Sequence, residues 1–166
     1  INKWMDVTTR LFEPRDEAEV RRVFAQEGAP AATPAAQAHR TKALEWLTAE
    51  DIAQWYARFF VAERGGEIVG FVGARGDDER SPRTVGDSVE VLRLCVSPAH
   101  RRRGVATALM RALHGWAAGV GARVAALTTT TRHAAAVGLY ERLGYELAST
   151  TPRSGITLLR FRRSLR

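Results

Sequence analysis

The spacing of apolar residues changes along this chain, and the changes indicate its fold class. Two short apolar runs meet at Gly65 and Gly66, which predicts a β-hairpin with a two-residue turn. The chain then alternates between the period of a strand and the period of a helix. In order, the segments are a strand over 88–96 ended by Pro98, a helix over 104–118, a strand over 123–129, a helix over 133–145 and an alternating tail over 155–163. This order predicts a mixed α/β fold with helices packed over a sheet.

The first third of the chain is predicted to be helical after a short strand over 7–11. A first helix begins near Pro14, with acidic residues in its first turn and Gly28 after its end. Thr48 is a good N-cap for another helix, and Asp51 three residues later forms a weak capping box. The Ala/Pro-rich segment 29–39 has little pattern and is interpreted as a loop or a loose helix.

Length and composition indicate one soluble domain. The 166 residues suffice for one core, no apolar run reaches the roughly 18 residues of a membrane span, and no leader is evident. A single cysteine excludes an internal disulfide framework and suits a reducing compartment, so a cytoplasmic location is expected. The net charge of +7 favours anionic partners such as nucleic acid, anionic lipid or a phosphorylated cofactor, although an arginine-rich composition alone also produces such a charge.

Three consecutive arginines precede a glycine and a helix in the stretch VSPAHRRRGVATAL, residues 96–109. A helix start already carries a partial positive charge and free N–H groups, so added arginines there favour a bound polyanion. The stretch is not a P-loop, because no Lys-Ser/Thr follows, and it lacks the Gly-x-Gly-x-x-Gly dinucleotide spacing. The local chemistry leaves two interpretations open, a phosphate site and a solvated arginine cluster.

The remaining candidates each have a structural alternative. Glu90 is predicted to share a strand face with Leu92, Leu94 and Val96, where an acid is costly unless it is functional or paired with an arginine. Tyr140 lies on an apolar helical stripe, so periodicity alone favours a core aromatic. Cys95 is predicted to be a small buried residue. The four histidines show no metal-ligand spacing, and no metal site is expected. The helix over 104–118 is predicted to bury the stripe Val105, Leu109, Leu113, Trp116 and Val120.

Two blocks in segment 90–145 resemble the GNAT superfamily of N-acetyltransferases. The family loop Gln/Arg-x-x-Gly-x-Gly/Ala is matched by Arg101, Gly104 and Ala106, after a strand that ends in Val-x-Pro. The later block AAAVGLYERLGY is similar to the family helix Ala-x-x-Leu-Tyr-Glu-x-x-Gly-Phe/Tyr. The resemblance implies one acetyltransferase domain over 1–166, with a mostly antiparallel sheet, splayed central strands and flanking helices. Segment 14–60 would face the substrate, and 88–145 would bind acetyl-CoA.

The resemblance also implies site residues. Backbone amides of Arg102 to Thr107 would hold the pyrophosphate, and the strand around Leu94 to Val96 would pair with the pantetheine arm. His133 stands where many members have Asn. Tyr140 occupies the family's proton-donor position, and Glu90 matches a glutamate that acts as base in histone-acetylating members. The implied cofactor-binding residues are Leu94, Cys95, Val96, Arg101, Arg102, Arg103, Gly104, Val105, Ala106, Thr107, His133 and Ala136.

The leading functional hypothesis is an enzyme that transfers an acetyl group from acetyl-CoA to a primary amine of a small molecule or a protein. The alternatives are an acyl-CoA sensor without turnover and a basic nucleic-acid-binding module. The last is disfavoured because the arginines are not interleaved with aromatic residues and no basic recognition helix is evident. Neither a nucleic-acid nor a membrane partner is expected. The acceptor is left open, and so is a homodimer.

Overall fold

A seven-stranded sheet with strand order β1-β2-β3-β4-β5-β7-β6 organises the chain. The structure is a computed structural model that describes residues 6–27, 34–78 and 80–166. The strands are β1 Thr8–Leu11, β2 Arg58–Arg64, β3 Glu67–Gly76, β4 Ser88–Val96, β5 Val124–Thr130, β6 Glu146–Arg153 and β7 Ile156–Ser164. The helices are α1 Glu17–Gln26, α2 Pro34–Glu45, α3 Ala49–Trp55, α4 Val105–Gly119 and α5 Ala134–Arg142.

Every pairing in the sheet is antiparallel except the one between β4 and β5. The mixed, mostly antiparallel sheet with flanking helices confirms the predicted fold class. The parallel pair is joined by α4, as the crossover between parallel strands requires. The prediction missed β6, whose eight residues are all exposed and include Pro152. Such a strand carries no apolar alternation, and proline is tolerated because β6 lies at the sheet edge.

The N-terminal elements follow the local signals. Strand β1 and helix α1 lie where they were predicted, and a 3₁₀ turn over Pro14–Asp16 precedes α1. The Thr48 hydroxyl accepts a hydrogen bond from the Asp51 backbone N–H and caps α3, as predicted. Segment 29–39 is helical from Pro34 onward, while its first part lies outside the described residues. The predicted hairpin forms with Gly65 and Gly66 both at positive φ.

Two apolar clusters lie on opposite faces of the sheet. On one face α4 packs closely on β3, since a Cβ at Gly70 would lie 3.0 Å from Val105 Cγ1. The other face is covered by α1 and α3 and includes Phe59, Phe71 and Cys95. The predicted α4 stripe was wrong at its end, because Val120 is 49 % exposed and lies after the helix. The fully buried positions of α4 are Val105, Leu109, Met110, Leu113, His114 and Ala117. None of the helices in the described ranges has the length and apolarity needed to cross a membrane.

A β-bulge in β4 reverses which residues face which side of the sheet. Phe71 pairs with Cys95 and Gly73 with Leu92, so β4 has one residue more than β3 in this interval. Arg93 lies in the bulge with φ of 59°. The predicted faces of 88–96 were therefore wrong, because strict alternation cannot continue through an extra residue. Val89, Val91, Leu94 and Val96 contact the α4-side cluster, whereas Glu90, Leu92 and Cys95 share the opposite face.

Candidate functional site

The sheet opens between β4 and β5. The two strands pair only over Ser88–Glu90 and Val124–Ala126, and beyond Glu90 strand β4 pairs with β3 alone. The edge of residues 91–96 that faces away from β3 forms one side of a wedge-shaped opening. Such an edge presents backbone N–H and C=O groups that an extended molecule can bind. We call this opening the β4–β5 cleft.

The arginine loop lies at the end of β4 and leads into α4. Arg102 and Gly104 both have positive φ, 57° and 78°. Gly104 is the N-cap of α4, and a Cβ built there meets no atom within 4 Å, so the space beside the backbone is open. The first backbone N–H groups of α4 have no acceptor within the helix and, with the helix dipole, favour an anion.

One side chain of the arginine loop forms a hydrogen bond to the preceding strand. Nε of Arg101 donates a hydrogen bond to the Val96 carbonyl at 3.3 Å, which connects the loop to the end of β4. Residues 101–104 are exposed overall, whereas Val105 is buried against the core. The predicted phosphate residues Arg102, Gly104 and Thr107 are thus brought together at one helix N-terminus.

Glu90 lies at the narrow end of the cleft, where the pairing of β4 with β5 stops. Its Oε1 accepts a hydrogen bond from Arg160 Nη1 at 2.6 Å, and the same Nη1 lies 3.2 Å from Thr128 Oγ1. The Glu90 side chain is 17 % exposed. Glu90 is therefore paired with an arginine, which was the alternative to a catalytic role in the sequence analysis. The pair spans the cleft from β7 to β4 and leaves Glu90 partly accessible.

Tyr140 is buried in the α4-side cluster, on α5. Its ring lies 5.8 Å from that of Tyr145 and 6.2 Å from that of Phe161, centroid to centroid. Burial raises the pKa of Tyr140 to about 12, and the negative charge of Glu27 adds to the shift. The hydroxyl is thus a weaker acid than that of an ordinary tyrosine. It keeps its proton throughout the neutral and moderately alkaline range.

A buried polar chain connects α4 to the end of α5. His114 Nε2 lies 2.6 Å from the Tyr145 hydroxyl, and Nδ1 pairs with Arg163. Because arginine only donates, Nδ1 must accept, which assigns the proton to Nε2 and makes the imidazole neutral. Burial first, and then the charge of Arg163, lower the pKa of His114 to about 4. Sequence reasoning gave His114 no role, since neither partner is near it in sequence.

The other predicted cofactor residues lie on the two sides of the cleft. His133 is exposed at the N-cap of α5, where its backbone N–H donates to the Thr130 carbonyl, and Ala136 is partly buried on the next turn. Cys95 is 2 % exposed and packs in the cluster under α1, as predicted for a small buried residue. Its side chain therefore faces away from the cleft, so only its backbone is available there.

A cavity of about 220 Å³ that the sequence did not indicate lies on the α3 side of the sheet. Its lining residues are Trp46, Trp55, Tyr56, Arg75, Pro82, Leu92 and Arg93. The ring of Tyr56 in this lining packs over Gly73, where a Cβ would lie 2.5 Å from it. The lining comes from segments up to 47 residues apart in the chain (46 to 93), so no local motif identifies it. We call it the aromatic pocket.

Known proteins resemble this chain in sequence and in fold. A family model described as the acetyltransferase (GNAT) family matches residues 18–145. Rat N-acetyltransferase 8 is 38 % identical over 88 residues, which cover 53 % of this chain and 39 % of that protein. Ard1 from Thermoplasma volcanium superposes with a TM-score of 0.74 at 21 % identity, covering 96 % of this chain and 98 % of that one. YncA from Salmonella typhimurium, solved with its cofactor acetyl-CoA, has a TM-score of 0.73 at 21 % identity, covering 96 % and 94 %.

Proposed function

Because this chain belongs to the acetyltransferase (GNAT) family, we propose that it transfers the acetyl group of acetyl-CoA to a primary amine. Membership confirms the family that the two sequence blocks indicated, and the match begins well before residue 90, where those blocks start. Acetyl-CoA is the cofactor in a solved structure of the same fold. The matched region spans 39 % of the length of two curated relatives. The acetyl transfer and its acceptor are therefore proposed from the geometry of the site in this chain.

The observation that carries the proposal is the β4–β5 cleft with the arginine loop at its end. The loop has positive φ at Arg102 and Gly104, an open space at Gly104 and a helix N-terminus, which fits a pyrophosphate. The edge of Leu94 to Val96 that faces away from β3 fits an extended pantetheine arm. The remaining proposed contacts come from Arg101, Arg103, Val105, Ala106, Thr107, His133 and Ala136. The N-terminal part, about 14–60, is proposed to face the acceptor.

Proton transfer is assigned to groups of this chain. A lysine-like amine has a pKa of about 10.4 and arrives mostly as ammonium near pH 7, so a base must remove a proton. Glu90 is proposed as that base, directly or through a water, since it lies at the end of the cleft and stays partly accessible. Tyr140 is proposed to donate a hydrogen bond and a proton to the departing thiolate. Bound acetyl-CoA supplies the thioester.

The test is a coupled measurement of free thiol and acetylated amine. The protein is incubated with acetyl-CoA and a panel of amines, and thiol release must depend on both the amine and the protein. Calorimetric binding of acetyl-CoA without transfer to any amine of the panel would instead favour the sensor. Binding of duplex DNA that weakens steeply with salt and needs no cofactor would favour the nucleic-acid module.

A further inference from the structure

The aromatic pocket combines two guanidinium groups with apolar and aromatic surface. Arg75 and Arg93 are the charged residues of its lining, which contains no acidic residue in the part of the chain that the structure describes. Trp46 and Trp55 are 47 % and 43 % exposed, although tryptophan is a residue that folding normally buries to a large extent. Exposed tryptophan beside guanidinium groups is typical of a surface that binds a ligand.

Two acids near the pocket have hydrogen-bond partners of their own. Asp51 accepts a hydrogen bond from the Thr48 hydroxyl at 2.6 Å, within the cap of α3. Glu90 lies directly opposite Arg75 in the β3–β4 register but pairs with Arg160. Arg93 packs over the ring of Phe24, with its guanidinium carbon 5.6 Å from the ring centroid. The described lining of the pocket thus carries two positively charged side chains and no acidic one.

Both guanidinium groups act on the same polar atom of the pocket. Burial and the negative charge of Asp51 raise the pKa of the Tyr56 hydroxyl, while Arg93 and Arg75 oppose that rise. Arg75 and Arg93 both line this one cavity. A carboxylate is the group that planar guanidinium donors recognise best, by charge-assisted hydrogen bonds.

We propose that the aromatic pocket binds the acceptor amine by a carboxylate on the acceptor, with an apolar or aromatic body against the tryptophans. The inference rests on the proposed acetyl transfer and names its substrate class. Opposed residues of an antiparallel pair have Cβ atoms about 5 Å apart, so a carboxylate at Arg75 places a nearby amine toward Glu90. This spacing fits an amino acid with an apolar side chain. Polyamines and lysine-rich peptides are disfavoured, because the arginines repel them.

The experiment compares L-phenylalanine, L-phenylalaninamide and spermidine as acceptors with acetyl-CoA. The wild-type protein should prefer L-phenylalanine. Arg75→Gln should raise the KM for L-phenylalanine about 10- to 100-fold, the loss expected for a hydrogen bond to a charged group, and leave the amide nearly unchanged. Arg111→Gln removes the same charge from an exposed site on α4 and should change neither acceptor. Equal loss for both acceptors, or a wild-type preference for spermidine, would overturn the inference.

Binding of the product separates this inference from the proposed function. N-acetyl-L-phenylalanine should bind the protein more tightly than N-acetyl-L-phenylalaninamide by calorimetry, and Arg75→Gln should abolish the difference. Should no amine be acetylated, the proposed function fails while a carboxylate preference in binding still supports the pocket. Equal affinity for the two products contradicts the pocket even in an active enzyme.

Discussion

The arginine loop and the aromatic pocket both attract anions, but by different means. The loop offers backbone N–H groups at the start of α4, and its arginine side chains are largely exposed. The pocket is lined by the C-terminal end of α3, at Trp55 and Tyr56, and has no helix N-terminus in its described lining, so it offers the side chains of Arg75 and Arg93 instead. A site made of backbone depends on φ and on the absence of a Cβ, whereas a site made of side chains depends on which residues are present. The two regions should therefore respond to opposite kinds of substitution.

The largest expected effect concerns Tyr140, the side chain proposed to donate a proton to the departing thiolate. Tyr140→Phe removes one hydroxyl and keeps the ring packed against Tyr145 and Phe161. General acid catalysis is worth about 10²–10⁴-fold, so turnover should fall by a factor in this range. Steady-state kinetics measures the loss, and calorimetry and thermal melting should show cofactor affinity and stability nearly unchanged. A variant that melts early and binds no acetyl-CoA would make Tyr140 a purely structural residue.

Glu90→Gln tests whether Glu90 is the general base. The amide keeps the size of the side chain, and turnover near pH 7 should fall about 100-fold, at the lower end for general base catalysis. The deficit should shrink as the pH approaches the amine's own pKa of about 10.4, because less amine then needs a base. Glu146→Gln, at an exposed acid of β6, is the matched control. Full turnover at every pH in the Glu90 variant rules out the assignment.

The buried imidazole of His114 should make the stability of the fold sensitive to acid. The unfolded chain binds a proton below the ordinary pKa of 6.5, while the folded imidazole stays neutral down to about pH 4. Stability is therefore complete above pH 6.5 and is lost as the pH falls toward 4, by up to about 3 kcal/mol. Urea unfolding across this range should give a flatter profile for His114→Gln than for the wild-type protein. Parallel profiles would contradict the buried neutral imidazole.

Gly104→Val tests the backbone character of the loop. A β-branched residue is strained at a φ of 78°, and its side chain occupies the open space beside the backbone. Loss of one charge-assisted hydrogen bond predicts about 30-fold weaker acetyl-CoA binding by calorimetry. Gly115→Ala, within α4 and equally free of contacts at its Cβ, should leave affinity unchanged. Unchanged affinity in Gly104→Val would remove the loop from the site.

Arg102→Ala tests a side chain of the arginine loop and should have the smallest effect on acetyl-CoA binding. The side chain is exposed, and solvent-exposed charges are screened, so acetyl-CoA affinity should fall only about threefold and less at high salt. Arg75→Gln should leave that affinity unaltered. A loss for Arg102→Ala larger than for Gly104→Val would mean that side chains rather than backbone hold the anion.

The difference between features set by adjacent residues and features set by distant contacts explains what could be predicted from the sequence. The loop, the hairpin and the cap at Thr48 are local, and each was found from a few adjacent residues. The bulge at Arg93 was not, because one extra residue in β4 is defined only by its pairing with β3, and it moved Leu94 and Glu90 to opposite faces. Arg160 as the partner of Glu90 and the arginines of the aromatic pocket depend likewise on contacts between distant segments. Strand β6 lacked an apolar pattern because both of its faces are exposed.

We assign acetyl-CoA to the arginine loop and β4, and the acceptor to the aromatic pocket. Hydrogen exchange of the backbone amides, followed as acetyl-CoA is added, tests this assignment most directly. Protection should increase at residues 102–107 and 94–96 while the segments that contain Trp55, Tyr56 and Arg75 stay unchanged. Addition of N-acetyl-L-phenylalanine should then protect the pocket segments. Protection by acetyl-CoA at the pocket, with none in the loop or along β4, would contradict the account.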